Sequence, residues 1–309
     1  MRIQSPAFIL LVAATALSRG CDRPPPEPPR VEAVMALNLP LETFARRMAE
    51  GVIAVERPIP EGEDPLDWMP PAEAISRVQS AELILSGGPG ASPWGEVVPL
   101  PAARTIDSTA NARSRFPPER QGVRHRHGGG AEHSHGASAA QAWLDLGLAR
   151  LQARAVRDGL VRVRPESEAT IDARWRELDA ELSTLHGEFA AVLAEAPAMV
   201  ASHPSYDFLA HAYELDVGSV HWEPEDLPDD AAFAELTALA ESRGASFMLW
   251  EAPPRPEVAA RLASLGILPV VVEPAGAADG SRDFLAVMRS NLANLRAALR
   301  PAEPGGSRD

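Results

Sequence analysis

Residues 171–192 read IDARWRELDAELSTLHGEFAAV, and apolar side chains recur in this stretch every three or four positions. This spacing is that of one face of an α-helix. Pro165 lies just before the segment and Pro197 just after it, so we predict one long helix over 165–196. Because a single isolated segment of this kind usually packs across its own molecule, we expect a monomer rather than a coiled-coil dimer. The apolar stripe consists of Ile171, Trp175, Leu178, Leu182, Leu185, Phe189 and Val192.

Short apolar runs alternate with amphipathic segments on both sides of this helix, which predicts strands and helices in alternation. This rhythm is typical of an α/β fold in which a mostly parallel sheet is flanked by helices. We therefore predict two such α/β lobes, at 31–164 and 197–300, joined by the one long backbone helix, with a tail at 301–309. Ligands in these sheets bind beyond the carboxyl ends of the strands. The predicted strands are 31–37, 52–56, 82–86, 105–108, 198–202, 216–220, 246–250 and 268–272.

The first 30 residues have the composition of an export leader. Residues 7–17 form an apolar run that is too short to span a bilayer, and small residues precede Cys21. We predict a signal peptide over 1–21 of the bacterial lipoprotein kind, with Cys21 as the lipidated residue. A plainly cleaved signal or a free thiol is the alternative. The Pro-rich segment 22–30 would then be a tether between membrane and folded body.

Charge and motif content exclude several classes of function. The net charge of −14 removes the electrostatic attraction on which nucleic-acid binding depends, so we expect no nucleic-acid partner. A single cysteine excludes a disulfide framework and a thiolate-rich metal site. No Gly-x-Ser-x-Gly elbow, phosphate loop or Gly-x-Gly-x-x-Gly motif is present, so we expect no enzyme activity, and a chelatase is the only enzyme class left open.

A His-rich segment interrupts the predicted N-terminal lobe at 110–138. It contains the run RHRHGGGAEHSH, and half of the chain's eight histidines lie in it. Neighbouring imidazoles on a flexible segment bind zinc, copper or nickel, so we predict auxiliary metal contact there. A solvated loop without metal is the alternative, and Arg124 and Arg126 would repel a cation. The histidines concerned are His125, His127, His133 and His135.

Several stretches resemble the substrate-binding proteins of zinc and manganese ABC importers. GEDPLDWMPPAEAISRVQSAELILSGGPGASPW (62–94) is similar to the family's Gly-x-Asp-Pro-His stretch with its following helix and strand, and AWLD (142–145) to its Trp-Leu-Asp helix start. ASHPSYDFLAHAYEL (201–215) resembles its strand-Ser-His motif, and the segments 247–276 and 284–299 resemble its last two strands and terminal helix. The order and spacing of these matches run along nearly the whole mature chain.

The resemblance implies one metal ion in the cleft between the lobes, held by three histidines and one carboxylate. At the first histidine position this sequence has Leu66, with Asp64 and Asp67 beside it, and at the second it has Gln141. The third and fourth positions hold His203 and Glu273. The implied ligand set is therefore His203, Glu273, Asp67 and Gln141, with zinc as the first expectation and manganese as the second. Glu251, and His221 with Glu223, follow other predicted strands and are open as replacements.

Two hypotheses of function follow. The first is a lipid-anchored, extracytoplasmic binding protein that delivers a divalent metal ion to the permease of an ABC importer. The second is a divergent relative on the same scaffold whose cleft no longer binds metal, and which acts as an interaction protein or as a metal scavenger through its His-rich loop. Leu66 and Gln141 favour the second hypothesis, whereas Glu273 and the loop histidines favour the first.

Overall fold

The computed structural model describes residues 30–63, 65–118, 140–276 and 282–300. Several sequence-based predictions lie outside these residues. They are the signal peptide with Cys21, most of the Pro-rich tether, Asp64, the loop residues His125, His127, His133 and His135, and the tail at 301–309.

Two parallel four-stranded sheets form the framework. The first has the strand order β2-β1-β3-β4 and the second β6-β5-β7-β8, and every strand pair is parallel. In each sheet the first strand along the chain is central, and later strands are added on both of its sides. The strands are β1 (Val31–Ala36), β2 (Ala54–Glu56), β3 (Ala81–Ser86), β4 (Thr105–Asp107), β5 (Met199–Ala201), β6 (Val217–Ser219), β7 (Phe247–Trp250) and β8 (Leu268–Val271).

Helices connect the strands, and short polar side chains fix several of their starts. The side chains of Asn38, Asp145, Asp229 and Asp283 each accept a hydrogen bond from a backbone N–H of the first helical turn, which satisfies donors that a helix cannot pair internally. The helices are α1 (Leu39–Ala49), α2 (Ala72–Ser80), α3 (Trp94–Val97), α4 (Leu146–Val163), α5 (Glu168–Leu193), α6 (Asp207–Ala212), α7 (Asp230–Arg243), α8 (Pro256–Ser264) and α9 (Phe284–Ala298).

The long helix α5 lies where the sequence predicts it and packs against α4, α1 and α9. Most of its predicted apolar stripe is buried in one core that includes residues of both sheets. Two members of the stripe differ, because Trp175 and Val192 are only partly buried, and Leu193 takes the last buried position. Trp175 packs against this core and also lines a surface groove together with Arg150 and Arg154.

The two halves of the chain also touch directly, away from α5. The indole Nε1 of Trp143 donates a hydrogen bond of 2.6 Å to the carbonyl oxygen of Pro274. The ring of Phe116 meets that of Phe208 edge-on, with the centroids 5.1 Å apart. These contacts join the region before α5 to the region after it, so the halves form a common apolar core.

The fold class predicted from the sequence is confirmed: two parallel α/β sheets flanked by helices, with one long helix. The four-residue helix α3 was not predicted, since four residues are too few to show a helical period. None of the described helices is both long enough and apolar enough to cross a bilayer.

Candidate metal site

The candidate site lies at the carboxyl edge of the second sheet. His203 follows β5, the segment with His221 and Glu223 follows β6, and Glu251 follows β7. Because β6 and β7 are the two neighbours of β5, the sheet order brings the residues that follow them to the two sides of His203. Glu273 follows β8, one strand beyond β7.

Backbone hydrogen bonds continue past the strand ends and fix these segments. The N–H of Trp222 donates to the carbonyl oxygen of Ser202 at 2.7 Å, and the N–H of Ser202 donates to that of Leu249 at 2.9 Å. Trp222 and Ser202 are both buried. The side chains of His221 and Glu223 therefore leave a backbone that is held against the end of β5.

A hydrogen-bonded chain orients the imidazole of His203. Its Nδ1 lies 2.9 Å from the hydroxyl oxygen of Ser205, and that hydroxyl donates to the carboxylate of Glu251. Since the Ser205 hydrogen is used toward Glu251, its oxygen accepts from Nδ1–H of His203. This assigns the Nδ1–H tautomer, in which Nε2 carries the lone pair that binds metal ions. A partner that holds one imidazole nitrogen is the usual support of a metal-binding histidine.

The other side of the His203 ring faces Glu223 and His221. Nε2 of His203 lies 3.9 Å from Oε1 of Glu223. The rings of His203 and His221 are nearly perpendicular, with their centroids 5.6 Å apart. The side chain of Glu223 is 44% exposed and that of His203 is 20% exposed, whereas Nε2 of His203 itself is buried.

Glu273 has a different environment from His203. Arg282 donates to both of its carboxylate oxygens, at 2.9 and 2.8 Å. Asn291, which is fully buried, fixes the backbone of Glu273 by accepting from its N–H and donating to its carbonyl oxygen. The charge of the carboxylate is thus balanced by a guanidinium, and its backbone is fixed by Asn291.

The two predicted ligands of the N-terminal half lie in turns. Asp67 is exposed, in the turn that follows the buried Pro65. Gln141 has a left-handed backbone, with φ of 60°, immediately before the turn that contains Trp143. Near the interface, Trp143 and Pro65 lie close to Gly276, within 4 Å of where a Cβ on that glycine would stand. Leu66 stands at the position where the resemblance implies a histidine, and it offers no ligand atom.

In this conformation, the part of the chain that the structure describes holds no three His, Cys, Asp or Glu side chains that converge on one point for a metal ion. His203 therefore has potential ligands around it, but their donor atoms do not yet share a centre. For an ion to bind at His203, at least one of the neighbouring side chains must rotate.

Comparisons with known proteins identify the family. The family described as "Zinc-uptake complex component A periplasmic" matches residues 34–298, which are most of the chain. The chain belongs to this family. The family consists of solute-binding transport proteins rather than enzymes, so the expectation of no enzyme activity is confirmed at the level of the family.

Individual relatives are distant in sequence. The high-affinity zinc uptake system protein ZnuA of Bacillus subtilis is 24% identical over 279 residues, which are 84% of this chain and 85% of that protein. ZnuA of Yersinia pestis is 23% identical over 231 residues, 68% of this chain and 73% of that protein. The zinc-binding lipoprotein AdcA of Streptococcus pneumoniae is 23% identical, and the match covers 83% of this chain but only 54% of AdcA.

Solved structures show the same fold. The metal-dependent lipoprotein YcdH of Bacillus subtilis has a TM-score of 0.72 at 19% identity, and the match covers 87% of this chain and all of that one. The Zn(II)-bound ZnuA-like domain of Streptococcus pneumoniae AdcA has a TM-score of 0.70 at 19% identity, covering 87% and 99% of the two chains. At these identities the likeness establishes the arrangement of strands and helices, and the ligands must be argued from this chain's own residues.

Sequence reasoning missed two side chains that shape the site. Ser205 orients the ring of His203. Its position two residues after His203 is the only signal of this role in the sequence. Arg282 lies nine residues after Glu273, on the far side of a segment that the structure does not describe, and no periodicity connects the two.

Proposed function

We propose that this chain is an extracytoplasmic binding protein that captures zinc at His203 and delivers it to the permease of an ABC importer. The observation that carries the proposal is the chain of hydrogen bonds from His203 through Ser205 to Glu251. It presents one imidazole nitrogen for coordination at the carboxyl end of a central strand. Family membership supports the same function, because the family description names a periplasmic component of zinc uptake.

Zinc is preferred to manganese because the ligand available at this site is an imidazole. Zinc binds imidazole nitrogen readily, whereas manganese prefers sites built of oxygen. The ligand set implied by the sequence adds Glu273, Asp67 and Gln141 to His203, and would draw on both halves of the chain. For Glu273 to join such a site, the ion would have to replace Arg282 as the partner of the carboxylate.

The alternative function is an interaction protein, or a scavenger through its loop histidines, whose cleft binds no metal. The ion pair of Glu273 with Arg282 favours it, since a half-buried guanidinium already balances the charge that a cation would neutralise. Leu66, at a position that the resemblance assigns to a ligand, favours it as well.

Attachment to the membrane through Cys21 is part of the same proposal. AdcA, one of the relatives, is named a lipoprotein. Labelled fatty acid should appear on the protein in cells and vanish in Cys21→Ser. Recovery of the wild-type chain wholly in the soluble periplasmic fraction, without label, would show ordinary cleavage of the signal instead.

Metal analysis tests the proposed function. The chain is purified without chelators and without nickel resin, both as wild type and as a loop-silenced chain that carries His125→Ala, His127→Ala, His133→Ala and His135→Ala. The proposal expects about one zinc ion per loop-silenced chain after zinc is added and weakly bound metal is removed. A loop-silenced chain that remains free of zinc, beside a wild type that binds it, would establish the scavenger instead.

A further inference from the structure

We infer that the zinc ligands beside His203 are His221 and Glu223, so that the ion is held by the C-terminal half of the chain alone. The inference rests on the proposed function, because it assumes that His203 binds zinc. It differs from the set implied by the family resemblance, which places two of the four ligands in the N-terminal half.

The first support is the spacing of the two imidazoles. Zinc–nitrogen bonds are about 2.0–2.1 Å long, so two imidazoles on one tetrahedral ion have ring centroids about 5 Å apart. The centroids of His203 and His221 are 5.6 Å apart, and the rings are inclined at 87°. Because His221 is exposed, its ring can rotate to direct a nitrogen at an ion bound to His203.

The second support is the position of Glu223. Two ligand atoms on one tetrahedral zinc ion are about 3.2–3.6 Å apart, given bonds of about 2.0–2.2 Å. Oε1 of Glu223 lies 3.9 Å from Nε2 of His203, which leaves a few tenths of an ångström to close. Because the Glu223 side chain is 44% exposed, rotation about its side-chain bonds can close that gap without moving the backbone.

The third support is that the two carboxylates lie on opposite sides of the His203 ring. Glu251 lies on the Nδ1 side of His203, where Ser205 connects them, and Glu223 lies on the Nε2 side. Glu251 is thus a positioning residue that holds the ring, and Glu223 supplies the negative charge next to the coordinating nitrogen. Orientation from one side and coordination from the other is how proteins normally build a histidine metal ligand.

The other candidate ligands among the described residues offer no comparable arrangement. Leu66 has no donor atom, and Asp67 is exposed in a turn. Glu273 is held by Arg282 through both oxygens. An ion bound by His203, His221 and Glu223 needs none of these groups, and it leaves a fourth coordination position for water.

Zinc affinity of single variants tests the inference. The probe is zinc alone, titrated into the loop-silenced chain in competition with a chromophoric chelator. His221→Ala and Glu223→Gln should each weaken zinc binding about 100-fold, since loss of a supporting residue alone costs about 10–100-fold. His211→Ala and Glu225→Gln remove an exposed imidazole and an exposed carboxylate nearby, and should change the affinity less than about twofold. Thermal unfolding without zinc checks that each variant is folded.

The outcomes separate this inference from the proposed function. If His203→Ala abolishes binding while His221→Ala and Glu223→Gln bind as the parent does, the proposed function stands and the inference is overturned. Loss of binding in Glu273→Gln, Asp67→Asn and Gln141→Ala in that case would locate the ligands in the cleft. If the loop-silenced parent binds no zinc, both fall.

A second readout addresses the orientation of His203 without metal. The loop-silenced chain retains only His186, His203, His211 and His221, so the nitrogen resonances of four imidazoles can be assigned by substitution. The inference expects the Nδ1–H tautomer for His203 in the free protein, and a shift of its Nε2 resonance when zinc is added. In Ser205→Ala the tautomer preference should weaken, and zinc affinity should fall about 10–100-fold. An Nε2–H tautomer in the free protein would overturn the assignment.

Discussion

The indole Nε1 of Trp143 donates a hydrogen bond of 2.6 Å to the carbonyl oxygen of Pro274, and this bond joins the half of the chain before α5 to the half after it. Trp143 is 1% exposed, so its indole N–H has little access to water as an alternative acceptor. The bond therefore couples the stability of the two halves.

Trp143→Phe should lower the free energy of unfolding more than the same substitution at Trp94. Both indoles are buried, but Nε1 of Trp94 has no hydrogen-bond partner among the described residues, so its loss removes only packing. The difference between the two variants should be about 1 kcal/mol, the typical net value of a hydrogen bond. Urea unfolding of the two proteins measures it. Equal losses would show that the Trp143–Pro274 bond contributes nothing to stability.

Leu182→Ala should destabilise the protein by about 2–5 kcal/mol, because it opens a cavity at a fully buried position of α5. Ser183→Ala changes the next residue, which is exposed, and should alter the free energy of unfolding by less than about 0.5 kcal/mol. Urea unfolding distinguishes the two. A small loss at Leu182 would contradict the role of α5 as the packing core of both halves.

The interior of the sheets could be predicted from the sequence, and the partly exposed surfaces could not. The strand 82–86 and the long helix α5 follow from the apolar pattern of the sequence, because burial imposes that pattern. Trp175 continues the period of α5, yet its ring faces a groove between helices, and periodicity carries no information about where the neighbouring helix ends. At the site, the place of His203 follows from its strand end. Its orientation by Ser205 and the pairing of Glu273 with Arg282 depend on side-chain rotamers and on distant segments, which no local pattern encodes.

Two buried tyrosines should make the free energy of unfolding fall at alkaline pH. Burial raises the pKa of Tyr206 well above its ordinary value, and the charge of Glu251 raises it further. Burial also raises the pKa of Tyr213, with a contribution from the charge of Asp145. The chain has no other tyrosine.

A raised native pKa means that the unfolded chain releases the phenolic proton first. The contribution of each tyrosine is therefore complete below its unfolded pKa of about 10 and is lost as pH rises above it. The free energy of unfolding should fall by up to about 1.4 kcal/mol per pH unit for each tyrosine. In Tyr213→Phe the part of this pH dependence that comes from Tyr213 should be absent. Absorbance of phenolate in the folded protein near pH 10, before unfolding, would contradict the burial of both hydroxyls.

Thermal unfolding of the loop-silenced chain with and without zinc tests the central claim, that His203 binds zinc, most directly. A ligand at one hundred times its dissociation constant stabilises the folded state by about 2.7 kcal/mol. We expect a stabilisation of this size in the loop-silenced chain, its loss in His203→Ala, and its decline in acid as the imidazole takes up a proton. A melting curve that zinc leaves unchanged, or a shift that survives in His203→Ala, would contradict the claim.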